Sequence, residues 1–375
     1  MRTAIATLFS VIALMLWWLF LPQPIEKSAS TNVAGMLGGV ADVGFERAVQ
    51  PRSFLFPQDH GAHPEFRSEW WYFTGNLETA QQRRFGFQLV FFRNALKPGD
   101  AEGKSQWRSN QSWMAHFALT DAQSGQFHAF ERFSRGAMGL AGAQSEPFEV
   151  WLDDWAVTEQ DGQWVLHAAE ADLSLTLSLL PLRQPVLQGE AGLSQKSAAA
   201  GNASYYYSIP RLMAEGQVVI DGQIHPVAGA AWLDREWSTS ALGKDQAGWD
   251  WFSLQLDDGS DLMYYQLRRK DGSSDPHSAG SLVSPDGGLT RLGPEDVRLQ
   301  PLAYWNSPRG GRYPVRWQLH IPAQGLKLEV APVLENQELD LLVRYWEGAV
   351  DVSGTRTGKA VRGRGYLELA GYSED

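Results

Sequence analysis

Cysteine is absent from all 375 residues. The absence excludes disulfides, thiolate metal sites, cysteine nucleophiles and a lipid-modified cysteine anchor. Basic residues are also in the minority, 32 Lys and Arg against 43 Asp and Glu, for a formal charge of -11. Neutralising phosphates takes clustered Lys and Arg that are not seen here, so no nucleic-acid partner is expected. The Gly-x-Ser-x-Gly elbow, the phosphate-binding loop, the dinucleotide fingerprint and His-Glu-x-x-His do not occur. Serine-hydrolase chemistry is therefore unsupported, and neither a cofactor nor a metal is expected. Helical periodicity is scarce throughout.

What is present is apolar and aromatic. With 43% hydrophobic and 20% charged residues the composition is globular, and the length predicts two domains, each with its own core. Tryptophan occurs 16 times. Its large apolar surface and single N–H suit a sheet-built ligand cavity, a sugar-stacking surface or plain core packing. Arg2 precedes an unbroken apolar run from Ala4 to Pro22, the pattern of a positive n-region followed by an h-region. Residues 1–30 read as an export signal cleaved near Ser28-Ala29-Ser30, or as an uncleaved membrane anchor. Either places the bulk of the chain outside the cytoplasm, periplasmic or tethered to the outer face of the cytoplasmic membrane. Residues 31–52 show no period and read as a leader without core residues.

From Ser53 onward, short alternating or aromatic stretches are cut by Asp-Gly pairs at 161/162, 221/222, 258/259, 271/272 and 286/287, which signal hairpins. Leu173, Leu175, Leu177 and Leu179 alternate with Ser174, Thr176 and Ser178, giving one strand an apolar face and a hydroxyl face. The pattern predicts an all-β fold of antiparallel barrels or sandwiches. An internal echo supports two related domains. Residues 70–77 (WWYFTGNL) can be laid on 249–256 (WDWFSLQL), and each is followed by a polar turn and a second aromatic strand, Phe85 to Arg93 and Asp261 to Arg269. Domains are therefore expected at 53–240 and 241–375.

Two constellations could carry chemistry. The first is Asp59-His60-Gly61-Ala62-His63-Pro64-Glu65-Phe66-Arg67-Ser68-Glu69-Trp70-Trp71-Tyr72-Phe73. Its imidazoles and carboxylates could trade protons or hold a metal, but no helix sets their spacing, and hydrogen bonds that pin the loop account for them. Alternation puts Glu69, Trp71 and Phe73 on one face and Trp70, Tyr72 and Thr74 on the other. Facing inward, Glu69 would be desolvated and its pKa raised, unless Arg67 or another cation pairs with it. The second constellation is Trp232-Leu233-Asp234-Arg235-Glu236-Trp237, followed by Gly248-Trp249-Asp250-Trp251-Phe252. Asp234 and Glu236 share a strand face, and with Asp250 they could donate and accept protons. Ion pairing by Arg235 explains them equally well.

These segments, with Phe56-Pro57-Gln58-Asp59-His60-Gly61, Ala115-His116-Phe117-Ala118-Leu119-Thr120-Asp121, Tyr205-Tyr206-Tyr207-Ser208, Tyr345-Trp346-Glu347-Gly348 and Gly365-Tyr366-Leu367-Glu368, make the exported part of the chain resemble the AttH/CrtC family of lipocalin-like proteins, which includes the carotenoid 1,2-hydratases. The resemblance implies two consecutive lipocalin-like antiparallel β-barrel domains and an apolar ligand. It also implies a possible ABC-type membrane export complex as partner and, in the carotenoid branch, cofactor-independent, acid-catalysed addition of water to a terminal double bond. That branch uses a His-x-Trp pair and a later Tyr-x-Asp pair. On this chain the first pair falls on Arg235 and Trp237, and the second on Tyr264 and Gln266, so both the His and the Asp are replaced.

Three readings follow. The leading expectation is a carrier of a lipid or isoprenoid-like molecule, with a cavity lined by Trp70, Trp71, Tyr72, Trp232, Trp237, Trp249 and Trp251, and with Arg235, Tyr264 and Tyr265 as further ligand contacts. The second is a hydratase or hydrolase using Glu69, Asp234, Glu236, Asp250 or His63, and its distinguishing feature would be an unpaired, buried carboxyl group in the cavity. The third is a structural partner of a membrane complex, in which the tryptophans serve only as core.

Overall fold

The computed structural model describes residues 31–32, 43–99, 105, 107–239 and 242–372. The export or anchor segment read over residues 1–30 lies outside them. Among the described residues the chain is all-β, and its helical segments are two three-residue turns, Gln58–His60 and Pro322–Gln324. The strand of alternating leucines runs from Leu173 to Pro181, with the leucines buried and the hydroxyl residues half-buried. All five Asp-Gly pairs fall between strands or just past a strand end. At Asp161-Gly162 and Asp221-Gly222 both residues of a two-residue turn have positive φ, 50° and 78° in the first and 50° and 74° in the second. That backbone twist matches the flanking strands, and glycine and aspartate tolerate it.

Two antiparallel sheets follow one another along the chain. The first contains the strands between Ser68 and Ser238, the second those between Gln246 and Ala370. They are wound alike. In each, the first strand pairs with both the second and the last: Ser68–Glu78 with Arg84–Ala95 and Gln223–Ser238, then Gln246–Leu256 with Asp261–Arg269 and Lys359–Ala370. In each, the two edge strands are neighbours in the chain, Gln126–Arg135 and Ala141–Ser145 in the first, Leu289–Leu292 and Arg298–Asn306 in the second. The sheet thus curls back on itself, as in lipocalin-like barrels. Arg132 on one edge of the first sheet draws the far side in by pairing with Asp154 and, at 2.9 Å, with Glu170. The echoed segments are the opening strands of the two sheets.

Large side chains pack the barrel interiors. Trp71, Phe73, Phe91, Trp155, Tyr207 and Trp237 fill the first, and Phe252, Tyr264, Trp317, Trp346 and Leu367 the second. A third cluster joins the outer faces of both sheets, with Tyr72, Phe92, Tyr206 and Trp232 from the first against Trp251, Met263, Tyr265, Tyr345 and Tyr366 from the second. The opening strand Ser68–Glu78 is therefore buried on both faces, one against its own barrel and one at the junction. The segment before it also departs from the sequence reading. Ala48 is buried in the first core, and Thr31–Asn32 pairs in parallel with Val343–Arg344, so the stretch read as a leader does contribute to packing.

Candidate active site

Between the two sheets the junction opens into a cavity with an empty volume of about 860 Å³, its mouth included. The register decides what reaches it. Trp70 lies opposite Glu236, and Tyr72 opposite Asp234, on the face that lines the cavity; one residue out of step, Glu69 lies opposite Trp237 and Trp71 opposite Arg235, inside the first barrel. From the second sheet, Trp251 lies opposite Tyr265 and Glu368, and Glu368 opposite Glu347.

Of the expected ligand contacts, Trp70, Tyr72, Trp249, Trp251 and Tyr265 line the cavity, as do Asp234 and Glu236. The others stand elsewhere. Trp71 and Trp237 belong to the first barrel's core and Tyr264 to the second's. Trp232 is packed at the junction beside Trp251, its ring 6.5 Å away, and gives its indole hydrogen to Asp234 at 2.7 Å. Arg235 lies under the rings of Trp71 and Trp237, 3.9 and 5.1 Å from their centroids, rather than beside Asp234 and Glu236. Strand alternation sends Arg235 to the opposite face from its two acidic neighbours.

The partner of Arg235 is Glu69, which Arg93 also engages. Burial raises the Glu69 carboxyl, but these two guanidinium groups outweigh it and hold the group below its usual range. The Arg67 pairing considered from the sequence is replaced by these two. His63 stacks flat on Trp237 at 3.8 Å, with its Nε2 3.0 Å from Asp59 and its Nδ1 3.4 Å from Glu69. His60 contacts the Tyr207 hydroxyl at 2.6 Å. The first constellation is thus a buried network that pins the loop before the strand Ser68–Glu78 onto the first barrel. Asp250 also stands apart from the cavity, held by Arg268 at 3.2 Å and by the Tyr372 hydroxyl at 2.8 Å.

Four carboxyl groups do reach the cavity, Asp234, Glu236, Glu347 and Glu368, with one cation, Lys196. Lys196 sits 2.9 Å from Glu236 and 3.0 Å from Ser194. Asp234 accepts hydrogen bonds from Tyr206, Ser208 and Trp232, and burial still raises it to about 6. Glu347 and Glu368 have no cation partner among the described residues. Glu347 accepts from the Tyr72 hydroxyl and from Gln88 at 2.9 Å; Glu368 accepts from Trp249 Nε1 at 2.9 Å. Burial, and next the facing Glu368, push Glu347 well above the usual carboxyl range. Burial, with smaller contributions from Asp234 and Glu236, brings Glu368 to about 8. Two carboxyl groups facing each other in a poorly solvated space cannot both ionise cheaply, so the pair retains a proton at neutral pH.

Sequence reasoning missed this pair. Each glutamate ends a Tyr-x-Glu stretch, Tyr345-Trp346-Glu347 and Tyr366-Leu367-Glu368. A charged residue in step with aromatics was the available signal, the same one that drew attention to Glu69.

Comparison with known proteins places the fold. Residues 47–372 match a family model described as AttH-like. No curated protein is significantly similar in sequence. The crystal structure of an AttH protein from Nitrosomonas europaea is 38% identical, covers 88% of this chain and 100% of its own, and superposes with a TM-score of 0.78. Kievitone hydratase from Nectria haematococca is 15% identical over 88% of this chain and 97% of its own, with a TM-score of 0.67. CghA is 13% identical over 89% and 98%, with a TM-score of 0.50. The likeness to the last two is one of fold.

Proposed function

This chain belongs to the AttH-like family, and on that premise we propose that it binds an apolar small molecule between its two barrels and protonates it, in a hydratase-type reaction. The observation that carries the proposal is the Glu347–Glu368 pair, which lines an aromatic cavity with no cation partner of its own among the described residues, so that burial favours a retained proton. A buried carboxyl group without a cation partner is what an acid catalyst requires and a carrier does not. One carboxyl group of the pair donates its proton to a carbon of a substrate double bond. The aromatic faces of Trp70, Trp249 and Trp251 stabilise the positive charge left on the neighbouring carbon. Water adds there, and its surplus proton passes to Asp234 or Glu236 on the opposite wall and from there to solvent, while the pair takes up a proton again. The fold shared with kievitone hydratase is in keeping with this reading.

Native mass spectrometry and organic extraction of protein purified from its own host would identify a co-purifying apolar molecule. Incubation of the protein with acyclic alkenes, lycopene among them, is expected to give a product heavier by one water, and the double variant Glu347→Gln/Glu368→Gln should not form it. Equal product yield from that variant would refute the proposal. The run from Ala4 to Pro22 supports a site of action outside the cytoplasm. A reporter fused after Asp375 that worked only in the cytoplasm would refute that location.

A further inference from the structure

His116 stands on the strand Gln111–Asp121, fully buried behind the cavity wall. Its Nδ1 lies 2.8 Å from the hydroxyl of Tyr345, and the two rings stack with centroids 5.7 Å apart. Tyr345 lines the cavity two residues before Glu347. Its hydroxyl oxygen accepts one hydrogen of the Gln88 amide at 2.9 Å, and the other amide hydrogen goes to Glu347 at 2.9 Å. A phenol has a single hydrogen to give. Two acceptors compete for that of Tyr345, His116 Nδ1 and the nearby Glu347 carboxyl.

Resting on the acid reading of the cavity, we propose that His116 is a positioning residue that sets the acidity of the glutamate pair: by accepting the Tyr345 hydrogen it turns that donor away from Glu347. A donor aimed at Glu347 would stabilise its charged form and make the pair ionise at lower pH; a donor held by His116 does not. Burial holds the imidazole neutral, pushing its protonation down to about 3, so the ring carries a single hydrogen at neutral pH; with that hydrogen on Nε2, which is buried without a partner among the described residues, Nδ1 is the acceptor. Near Glu347 the Tyr366 hydroxyl is buried without a hydrogen-bond partner among the described residues; the remaining groups around the pair are committed. Tyr72 gives its hydrogen to Glu347, Tyr206 to Asp234, and Trp249 to Glu368, while Lys196 is held by Glu236. Beside His116, the cross-strand Glu131 accepts the Leu342 backbone N–H at 3.1 Å.

The test is an infrared pH titration of the carbonyl stretch of the protonated carboxyl, assigned by its loss in Glu347→Gln/Glu368→Gln. His116→Phe keeps most of the ring volume but offers no acceptor, so its midpoint is expected to fall by about one to two pH units, the size of a hydrogen bond to a charged group. His116→Asn places an acceptor near the position of Nδ1 and should keep the wild-type midpoint. Adding Tyr345→Phe to His116→Phe removes the donor itself and should restore the midpoint, which no effect of lost packing would do. Should His116→Phe fail to fold, His116→Leu serves in the same comparison. An unchanged midpoint in the single variant, or the same drop with and without Tyr345, would overturn the role of His116 and leave the acid reading intact. A wild-type protein with no such band at neutral pH would overturn both.

Discussion

Replacing Glu368 by glutamine should make the protein more stable, and increasingly so as pH rises. In the wild type the native state keeps a proton that the unfolded chain releases near 4.5, because burial, aided by Asp234 and Glu236, raises the carboxyl to about 8. The native state then binds more protons than the unfolded state across this interval, so stability is fully present below 4.5 and is lost as pH rises towards 8. At about 1.4 kcal/mol per pH unit the whole interval corresponds to about 5 kcal/mol at most. Between about pH 6 and pH 9 the part still to be lost is about 3 kcal/mol. The glutamine has no proton to lose and can accept the Trp249 hydrogen in the same place, so it escapes this decline. Urea unfolding followed by tryptophan fluorescence at those two pH values measures the gap between variant and wild type. A gap that stays constant with pH would refute the claim that Glu368 is protonated in the native state.

Tyr72→Phe removes a donor from Glu347 and is expected to shift the alkaline limb of any pH–rate profile upward by about one unit, with the fold intact by circular dichroism. Asp250→Asn loosens the contacts with Arg268 and Tyr372 and should lower stability by about 1–3 kcal/mol in thermal melts, while turnover per folded molecule and ligand affinity stay unchanged. Glu69→Gln leaves Arg93 and Arg235 buried without their carboxylate, at a cost of about 3–5 kcal/mol at neutral pH. Since the Glu69 carboxyl is held below its unfolded value, its contribution is present above that value and is lost as pH falls towards the folded one; urea midpoints of wild type and variant should therefore converge on acidification.

Local periodicity determined a good deal of this protein. Alternating leucines specify a half-buried strand because successive side chains point to opposite faces, and Asp-Gly pairs specify turns because few residues accept positive φ. The same alternation placed Asp234 and Glu236 on one face and separated Glu69 and Trp71 from Trp70 and Tyr72. It could not say which face looks into a barrel and which into the junction, since the opening strand is buried on both. That choice moved the cavity out of the barrels, withdrew Trp71, Trp237 and Tyr264 from it, and carried Arg235 to Glu69. Tertiary structure alone brought the acid pair to the site: Tyr72 meets Glu347 across 275 positions of sequence. Only the docking of the second sheet onto the outer face of the first desolvates the two glutamates together, and their shared proton follows from that burial.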